Sequence, residues 1–421
     1  MDLIMGCSEI DITPANPVQI VGFNRGDNTS QGIRDPLYAQ ASVWKIQEDI
    51  CCLISIDHIG FSKEYADELR TEIGKIILAT KEKVMLCFSH THSAPDEEIE
   101  TEYRKDLFIK IGHCVKEAMK NMHAVYVGWG NAFADIGFNR RKGNNALDRR
   151  VGILKVTDAI SGELRLILLR LTAHANVLKR DNYFISADYF GAVRNVMKKR
   201  YGCLVMLTQG AAGNVAPVYV CSDLVLPDAC DERIIRSKTA LDDMANEVER
   251  QVRKVFKDIA VKPVYKVSMY SKKQNLYSEV PEYKKAQEIA EEAYQKAGID
   301  GNDWLKEIKR LRMNQIKEQK EEIEVQFFQL NEGCLCGAAN EFMCEIALNI
   351  WEKTRKGYCY FGGYTNGCTG YFPTEEEFDE GGYEVYWSML IYFRYYGRVF
   401  PLNRASASRI IDFAVNNFRN E

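Results

Sequence analysis

Val84-Met85-Leu86-Cys87-Phe88 is followed at once by Ser89-His90-Thr91-His92-Ser93. Five apolar residues bounded by polar ones read as a short strand buried on both faces, the kind found inside α/β sheets. In open sheets of that class, ligands gather where the carboxyl ends of strands open into loops. Two of the chain's six histidines stand at that position. If the backbone stays extended past Phe88, residues two apart point the same way and His90 and His92 face one pocket. The alternative is a polar turn with no site.

Outward from this strand, the pattern alternates between sheet and helix. Ala41–Ile46 and Ile50–Ile56 flank the polar turn Gln47-Glu48-Asp49, which predicts a hairpin. Helices are predicted near Lys63–Leu78 and over Tyr103–Lys120. Val151–Thr157 and Leu164–Thr172 straddle Asp158–Gly162 as a second hairpin, and Leu204–Thr208 is another buried strand, ending in the small-residue loop Gln209–Val215. The fold class is therefore α/β, with mixed sheets of the α+β kind and flanking helices, in one large domain spanning residues 1–421.

The character changes from Val264 to Glu322. Tyr283, Ala286, Ile289, Ala290, Ala293, Tyr294 and Ala297 recur at helical spacing up to Gly298, a natural stop. Trp304, Leu305, Ile308, Leu311 and Ile316 make a second stripe among Lys, Arg and Glu. A charged helical hairpin inserted at about 280–322 is predicted, as a lid or buttress with solvated outer faces or as a partner or oligomer contact. Ile323–Leu330 resumes the sheet, a helix is predicted over Glu341–Thr354, and Tyr358–Phe361 is a last strand before C-terminal helices.

Composition sets the class of partner. Apolar residues make up 46% of 421 residues, enough for a sizeable core. Lys and Arg number 55 against 59 Asp and Glu, a net charge of −4 with both signs scattered, so no basic surplus exists to bind nucleic acid. Met1–Pro14 lacks a basic segment followed by an apolar run, and no window approaches the ~20 apolar residues of a membrane span. The 13 cysteines are odd in number and irregularly spaced, which fits reduced thiols and a cytoplasmic location. Cys334 and Cys336 lack a matching second pair and are read as lining a strand or turn.

Other candidate residues carry two readings each. His174 ends the strand Leu164–Thr172 and is either a ligand or a satisfied core histidine. Asp188, in Ile185-Ser186-Ala187-Asp188-Tyr189, is placed to orient an imidazole, as carboxylates behind metal ligands do. Asp57-His58 ends a further strand and suggests a structural or supporting role. In Gln209–Pro217, Gly210 and Gly213 allow close backbone approach, so the loop with Gly213 and Asn214 either offers N–H groups to a ligand or oxyanion or is a tight turn. It lacks the Lys-Ser/Thr of a phosphate loop. Asn139-Arg140-Arg141-Lys142 is either a solvated loop or the source of a guanidinium clamp.

Taken together, the separated segments resemble the neutral/alkaline (non-lysosomal) ceramidase family. Asp11-Ile12-Thr13-Pro14, Gly32-Ile33-Arg34-Asp35-Pro36-Leu37-Tyr38-Ala39, His90-Thr91-His92-Ser93-Ala94-Pro95, Asn139-Arg140-Arg141, Ser186-Ala187-Asp188-Tyr189 and Gly210–Pro217 follow that family's order. So do Asn340-Glu341-Phe342 and Gly370-Tyr371-Phe372-Pro373-Thr374 with Gly382-Tyr383-Glu384. The resemblance implies one zinc ion per chain, bound by His90, His174, Glu341 and Tyr371, with His92, Arg140 and Tyr383 serving the substrate's polar part and the transition state. That family hydrolyses the N-acyl amide of ceramide to a fatty acid and an amino alcohol. Two imidazoles and a carboxylate are a common catalytic zinc set, and a phenol joins it as phenolate only where a cation favours the charged form.

Three departures bear on the substrate. Ala216, in Gly213-Asn214-Val215-Ala216-Pro217, stands where the family carries a serine. The chain leaves no room for the family's C-terminal immunoglobulin-like domain, and a secretion signal is missing. The expectation is a zinc-dependent hydrolase using metal-activated water on an amide (N-acyl) or related acyl bond of a small or medium acylated substrate. Its rivals are a true neutral ceramidase acting on sphingolipid and a catalytically inactive, metal-containing binding protein. His58, His113 and His123 are not expected to bind metal.

Overall fold

The computed structural model describes residues 3–224 and 232–418. The first predicted hairpin lies towards one edge of a nine-stranded mixed sheet. Its main strands are β1 (Ile4–Asp11), β2 (Tyr38–Ile46), β3 (Asp49–Ile56), β4 (Val84–Phe88), β5 (His123–Phe133), β6 (Arg150–Asp158), β7 (Leu164–Leu171) and β8 (Leu204–Gln209). Their spatial order is β8-β7-β6-β5-β1-β2-β3-β4, with the short strand Lys262–Pro263 beside β5. The outermost pairs, β3 with β4 and β7 with β8, are parallel, and those between them are antiparallel.

The sheet folds back on itself, because β1 and β5 pair over only two residues. Gln40 on β2 and Ser55 on β3 then donate to the carbonyls of Val205 (2.8 Å) and Leu207 (2.6 Å) on β8. The two parallel pairs, far apart in strand order, thus lie side by side, and their carboxyl ends open into one region. The free edge of β4 is covered too: Phe88 N donates to Tyr364 O (3.0 Å), Asn366 N to Leu86 O (2.9 Å), and Leu86 N to the Asn366 side chain (2.9 Å). No backbone group of this wholly buried strand needs water.

Helices α1 (Lys63–Ile77), α2 (Thr101–Lys120), α3 (Asp188–Tyr201) and α4 (Ala240–Phe256) bury their apolar faces in the core under this sheet. In α1 the buried stripe is Ala66, Leu69, Ile73 and Ile77, at helical spacing, and Ser62 caps its start by accepting from Tyr65 N.

A second, four-stranded sheet runs β9 (Val267–Glu279), β10 (Glu318–Leu330), β11 (Gly333–Gly337) and β12 (Cys359–Gly362) in that order. Here the sequence reading needs correction. β9 and β10 form a long antiparallel ribbon, paired from Val267↔Leu330 to Glu279↔Glu318, so the sheet resumes at Glu318 rather than Ile323. Much of the ribbon is solvated and charged, with Lys272, Lys273 and Gln274 on β9 opposite Val325, Glu324 and Ile323 on β10. Its apolar alternation is therefore too faint to read. Between the strands stand α5 (Tyr283–Ala297) and α6 (Asn302–Met313), the predicted helical pair.

These two helices bury Ala286, Ile289, Ala290, Ala293, Trp304, Ile308 and Leu311 against Leu390 and Phe393 of α8 (Ser388–Tyr396). Trp304 Nε1 also donates to Val399 O (2.7 Å). α7 (Cys344–Thr354) begins three residues later than predicted, since Asn214 Oδ1 accepts from Cys344 N (2.9 Å) and fixes the helix start there. Glu341–Phe342 is instead a short strand parallel to Tyr371–Phe372. Cys334 and Cys336 lie on β11, and the cysteines among the described residues are free thiols. Among those residues no helix is long and apolar enough to cross a membrane.

Candidate metal centre

His90 follows β4, His174 follows β7, and the two loops are joined by Gln209 at the end of β8. The Gln209 amide donates to Ser89 O (3.1 Å) and to Ala173 O (2.7 Å). His90 and His92 do converge, with ring centroids 5.0 Å apart, but not through an extended backbone. His90 has a φ of +62°, a left-handed conformation that costs energy in a non-glycine residue and is held here by its surroundings. His90 N donates to His58 O (2.8 Å). His58 thereby supports the turn through its backbone.

Each of the three imidazoles is oriented by a main-chain carbonyl. Nδ1 of His90 lies 2.6 Å from Ile59 O, Nδ1 of His92 3.0 Å from Gly22 O, and Nδ1 of His174 2.7 Å from Ala212 O. A carbonyl only accepts, so Nδ1 carries a proton in all three and Nε2 is the ring atom left to face a ligand. The donor atoms of His90, His92 and His174 lie within 4.8 Å of one another. Nε2 of His92 and of His174 are buried and have no hydrogen-bond partner.

Glu341 closes the group. Its Oε2 is 3.2 Å from His90 Nε2 and 3.3 Å from His174 Nε2, and the Tyr364 hydroxyl donates to it at 3.4 Å. With the rings neutral, imidazole nitrogens against a carboxylate oxygen repel one another, so the cluster is relieved only by a positive charge between its members. The donor set fits a divalent cation of the zinc type. Burial, then Arg140, lowers His174 to about 4. Burial, then His90 and His174, holds His92 well below its ordinary value.

Tyr371 stands next to Glu341 because the two residues are register partners in the short parallel bridge. Burial, with Glu341 adding to it, pushes the Tyr371 phenol well above its ordinary value. It stays protonated unless a cation compensates. Arg140 donates from Nη2 to Gly213 O (2.7 Å) and to the Tyr371 hydroxyl (3.2 Å), and its Nε lies 2.7 Å from Glu384 Oε1. The Tyr383 ring is 5.9 Å from that of Tyr371 and lines the same pocket. This pocket encloses about 880 Å³ of space, its open mouth included, above His90, His92 and Glu341.

Four residues read from the sequence as supporting or substrate-binding have these partners in the structure. Asp188 orients no imidazole: its carboxylate accepts from the N–H groups of Val177, Leu178 and Tyr189 and so braces the loop after His174. Asp57 is locked to Arg194 (2.6 and 3.2 Å) and accepts from Tyr38 N. The Gly213 N–H is spent on Phe342 O (2.8 Å) and the Gly210 N–H on Leu171 O (2.6 Å), leaving neither for an oxyanion. A side chain at Gly213 would meet Glu341 O at 2.4 Å, so glycine is required there for close packing. Asn214 binds both oxygens of Glu345 (3.1 and 2.9 Å).

Sequence reasoning missed Tyr364, whose ring lies 4.3 Å from that of His90, and Gln209. A buried polar residue closing an apolar strand was the available signal for Gln209; Tyr364 had none. His113 and His123 lie outside the group, His123 beside Asp158 at 3.4 Å.

No family model matches the chain, and no curated protein matches it in sequence. In three dimensions it is similar to neutral ceramidase from Pseudomonas aeruginosa, with a TM-score of 0.71 at 14% identity over 99% of this chain and 74% of that one. A ceramidase complexed with C2 gives a TM-score of 0.72 at 15% identity and the same coverage. The chain therefore has the neutral ceramidase fold, a mixed α/β architecture, and carries within it a buried histidine group able to hold a metal ion.

Proposed function

We propose that the protein is a zinc-dependent hydrolase of an amide (N-acyl) or related acyl bond, its ion held by His90, His174 and Glu341 with Tyr371 as fourth donor. The observation that carries this reading is the convergence of Nε2 atoms on one buried carboxylate, each ring tethered by its own carbonyl. A divalent cation held there would polarise an acyl carbonyl and make water a competent nucleophile near neutral pH. His92, whose Nδ1 proton is committed to Gly22 O, accepts a proton at Nε2. Arg140 holds the Tyr371 phenol in place and brings positive charge to it. The Tyr383 hydroxyl donates to the oxygen on which negative charge develops. Ala216 offers no hydroxyl, so no nucleophile comes from that position.

Elemental analysis of protein purified without added metal tests the ligand set. About one ion per chain is expected in the wild type and in His92→Ala, and none in His90→Ala/His174→Ala. Equal metal in the double variant removes the site, and metal lost from His92→Ala makes the three imidazoles the ligands instead. Ceramide as substrate is the second reading, favoured by the fold it shares with the solved ceramidases. Against it stand the carboxyl and tyrosine groups among the pocket's lining residues. A panel of long-chain ceramide in detergent and short N-acyl amino alcohols separates the two; preference for the long-chain lipid reinstates ceramide.

A further inference from the structure

The pocket mouth carries polar groups that acyl hydrolysis does not use. One wall is the loop Asp96-Glu97-Glu98, and the other is α8, which presents Tyr392, Tyr395 and Tyr396. Tyr395 lines the same pocket as the loop, and burial first and then Asp96, Glu98 and Glu97 raise its phenol. The tyrosines form a cluster, with ring centroids 6.3 Å apart for Tyr392 and Tyr395 and 5.7 Å for Tyr392 and Tyr396.

The three carboxyl groups are not equivalent. Asp96 accepts from the N–H groups of Glu98 (3.0 Å) and Ile99 (3.3 Å) and is spent on its own turn. Glu98 accepts from the Tyr65 hydroxyl at 3.2 Å. Glu97 is only 6% exposed and lines the pocket, yet among the described residues no side chain donates a hydrogen bond to it. The imidazole beside it, with His58 Nε2 at 3.6 Å, gives its proton to Pro95 O (2.8 Å), while His58 Nδ1 accepts from Gly60 N (3.2 Å). His58 is a neutral, fully engaged imidazole. Arg104 packs on the Tyr65 ring at 3.7 Å and donates to the backbone carbonyl of Glu97, not its carboxyl. Burial accordingly drives the Glu97 carboxyl up to about 8.

A buried carboxyl that takes a hydrogen bond from its own backbone N–H but none from a side chain, in a pocket lined by tyrosine rings, is complementary to one kind of group. A protonated amine supplies charge-assisted hydrogen bonds to the acid and a cation to the aromatic faces. We propose that Glu97, seconded by Glu98 and sharing its pocket with Tyr392, Tyr395 and Tyr396, is a subsite for an ammonium group, so that the natural substrate is an acylated compound bearing a primary amine beyond the scissile bond. The identity of the group as part of a substrate rests on the hydrolase reading; the binding of an ammonium does not.

Calorimetric titration of the metal-loaded protein with hexylammonium chloride and with 1-hexanol tests the subsite without any turnover. The ammonium should bind about ten-fold more tightly or better, the scale of a desolvated cation–π contact joined to an ionic hydrogen bond. Glu97→Gln should abolish that preference and Glu98→Gln reduce it, both variants melting as the wild type does. For an amine-bearing acyl substrate, Glu97→Gln should raise KM by a similar factor. Equal affinity for ammonium and alcohol, or a preference that survives Glu97→Gln, overturns the subsite. Ammonium selectivity in a protein that hydrolyses neither amine-bearing nor neutral substrates upholds the subsite and overturns the hydrolase reading instead.

Discussion

Arg70 and His90 both sit in polar clusters enclosed by the core, and the two clusters are completed in opposite ways. Arg70 spends all five of its N–H donors: on Val84 O (3.0 Å), Asp67 (2.8 Å), both oxygens of Glu324 (2.9 Å each) and Gln326 (3.2 Å). That cluster ties α1 and β4 to the second sheet and asks for nothing from outside. Around His90 the donors are spent outward, on carbonyls, while the acceptors are turned inward on one another and on Glu341. The first arrangement is complete within the chain and serves stability. The second is incomplete within the chain and is able to take up a metal ion.

If that contrast is right, damage to the two clusters must show in different measurements. His90→Ala/His174→Ala should lower hydrolysis by on the order of 10³-fold or more, since it removes the charge that stabilises the transition state. Its cation-free form should melt no lower than the cation-free wild type, because the repulsion among inward acceptors is relieved. A large fall in melting temperature would make the histidines structural. Arg70→Ala should do the reverse and cost roughly 3–5 kcal/mol of unfolding free energy in urea, as removal of one partner of a buried pair does. Its metal content per folded chain should be unchanged.

Acid titration sharpens the comparison at a smaller scale. Burial works against ionisation of Glu324, but the hydrogen bonds and charge of Arg70 prevail and bring it from 4.5 to about 2. A folded value below the unfolded one gives stability that is complete above 4.5 and is lost as the pH falls towards 2; a shift of that size contributes roughly 3 kcal/mol. Glu324→Gln should flatten the loss of stability through that window, measured by urea unfolding at each pH. An unaltered slope would detach Arg70 from the contrast. The smallest effect belongs to Gln209, which touches no reacting group but joins the loops of His90 and His174. Gln209→Leu should cost about 1–3 kcal/mol from unsatisfied carbonyls and about ten-fold in metal affinity, the usual scale for a group behind the ligands.

The sequence was legible where burial is two-sided or periodic. Val84–Phe88 is a strand residue for residue, α1 differs from its predicted span by one residue, and the stripes of α5 and α6 lie on their buried faces. It was illegible in the β9–β10 ribbon, whose solvated charges hide the alternation, and at Glu341, where long-range pairing with Tyr371 overrides the helical pattern that follows. The histidines were legible as candidates from their place after strands. Their convergence through a left-handed turn at His90 was not, because the turn is held by His58 O and Ile59 O, from another strand end. Glu97 was passed over as one acid among several, since only tertiary burial distinguishes it from Asp96 and Glu98.

The pairing of Glu341 with Tyr371 also sets an order of events. Translation delivers the amino-terminal part of a chain first, and structured units form as they emerge. His90, His92 and His174 belong to the first sheet, whereas Glu341 and Tyr371 are joined to each other late in the chain and to that sheet through Tyr364 and Asn366. A ribosome-bound chain therefore presents three imidazoles before it has a carboxylate to set between them. Termination of synthesis ahead of Tyr371 would leave a protein with its first sheet made and without the Glu341–Tyr371 bridge, so under the proposed ligand set the centre is completed only when the carboxyl-terminal segment arrives.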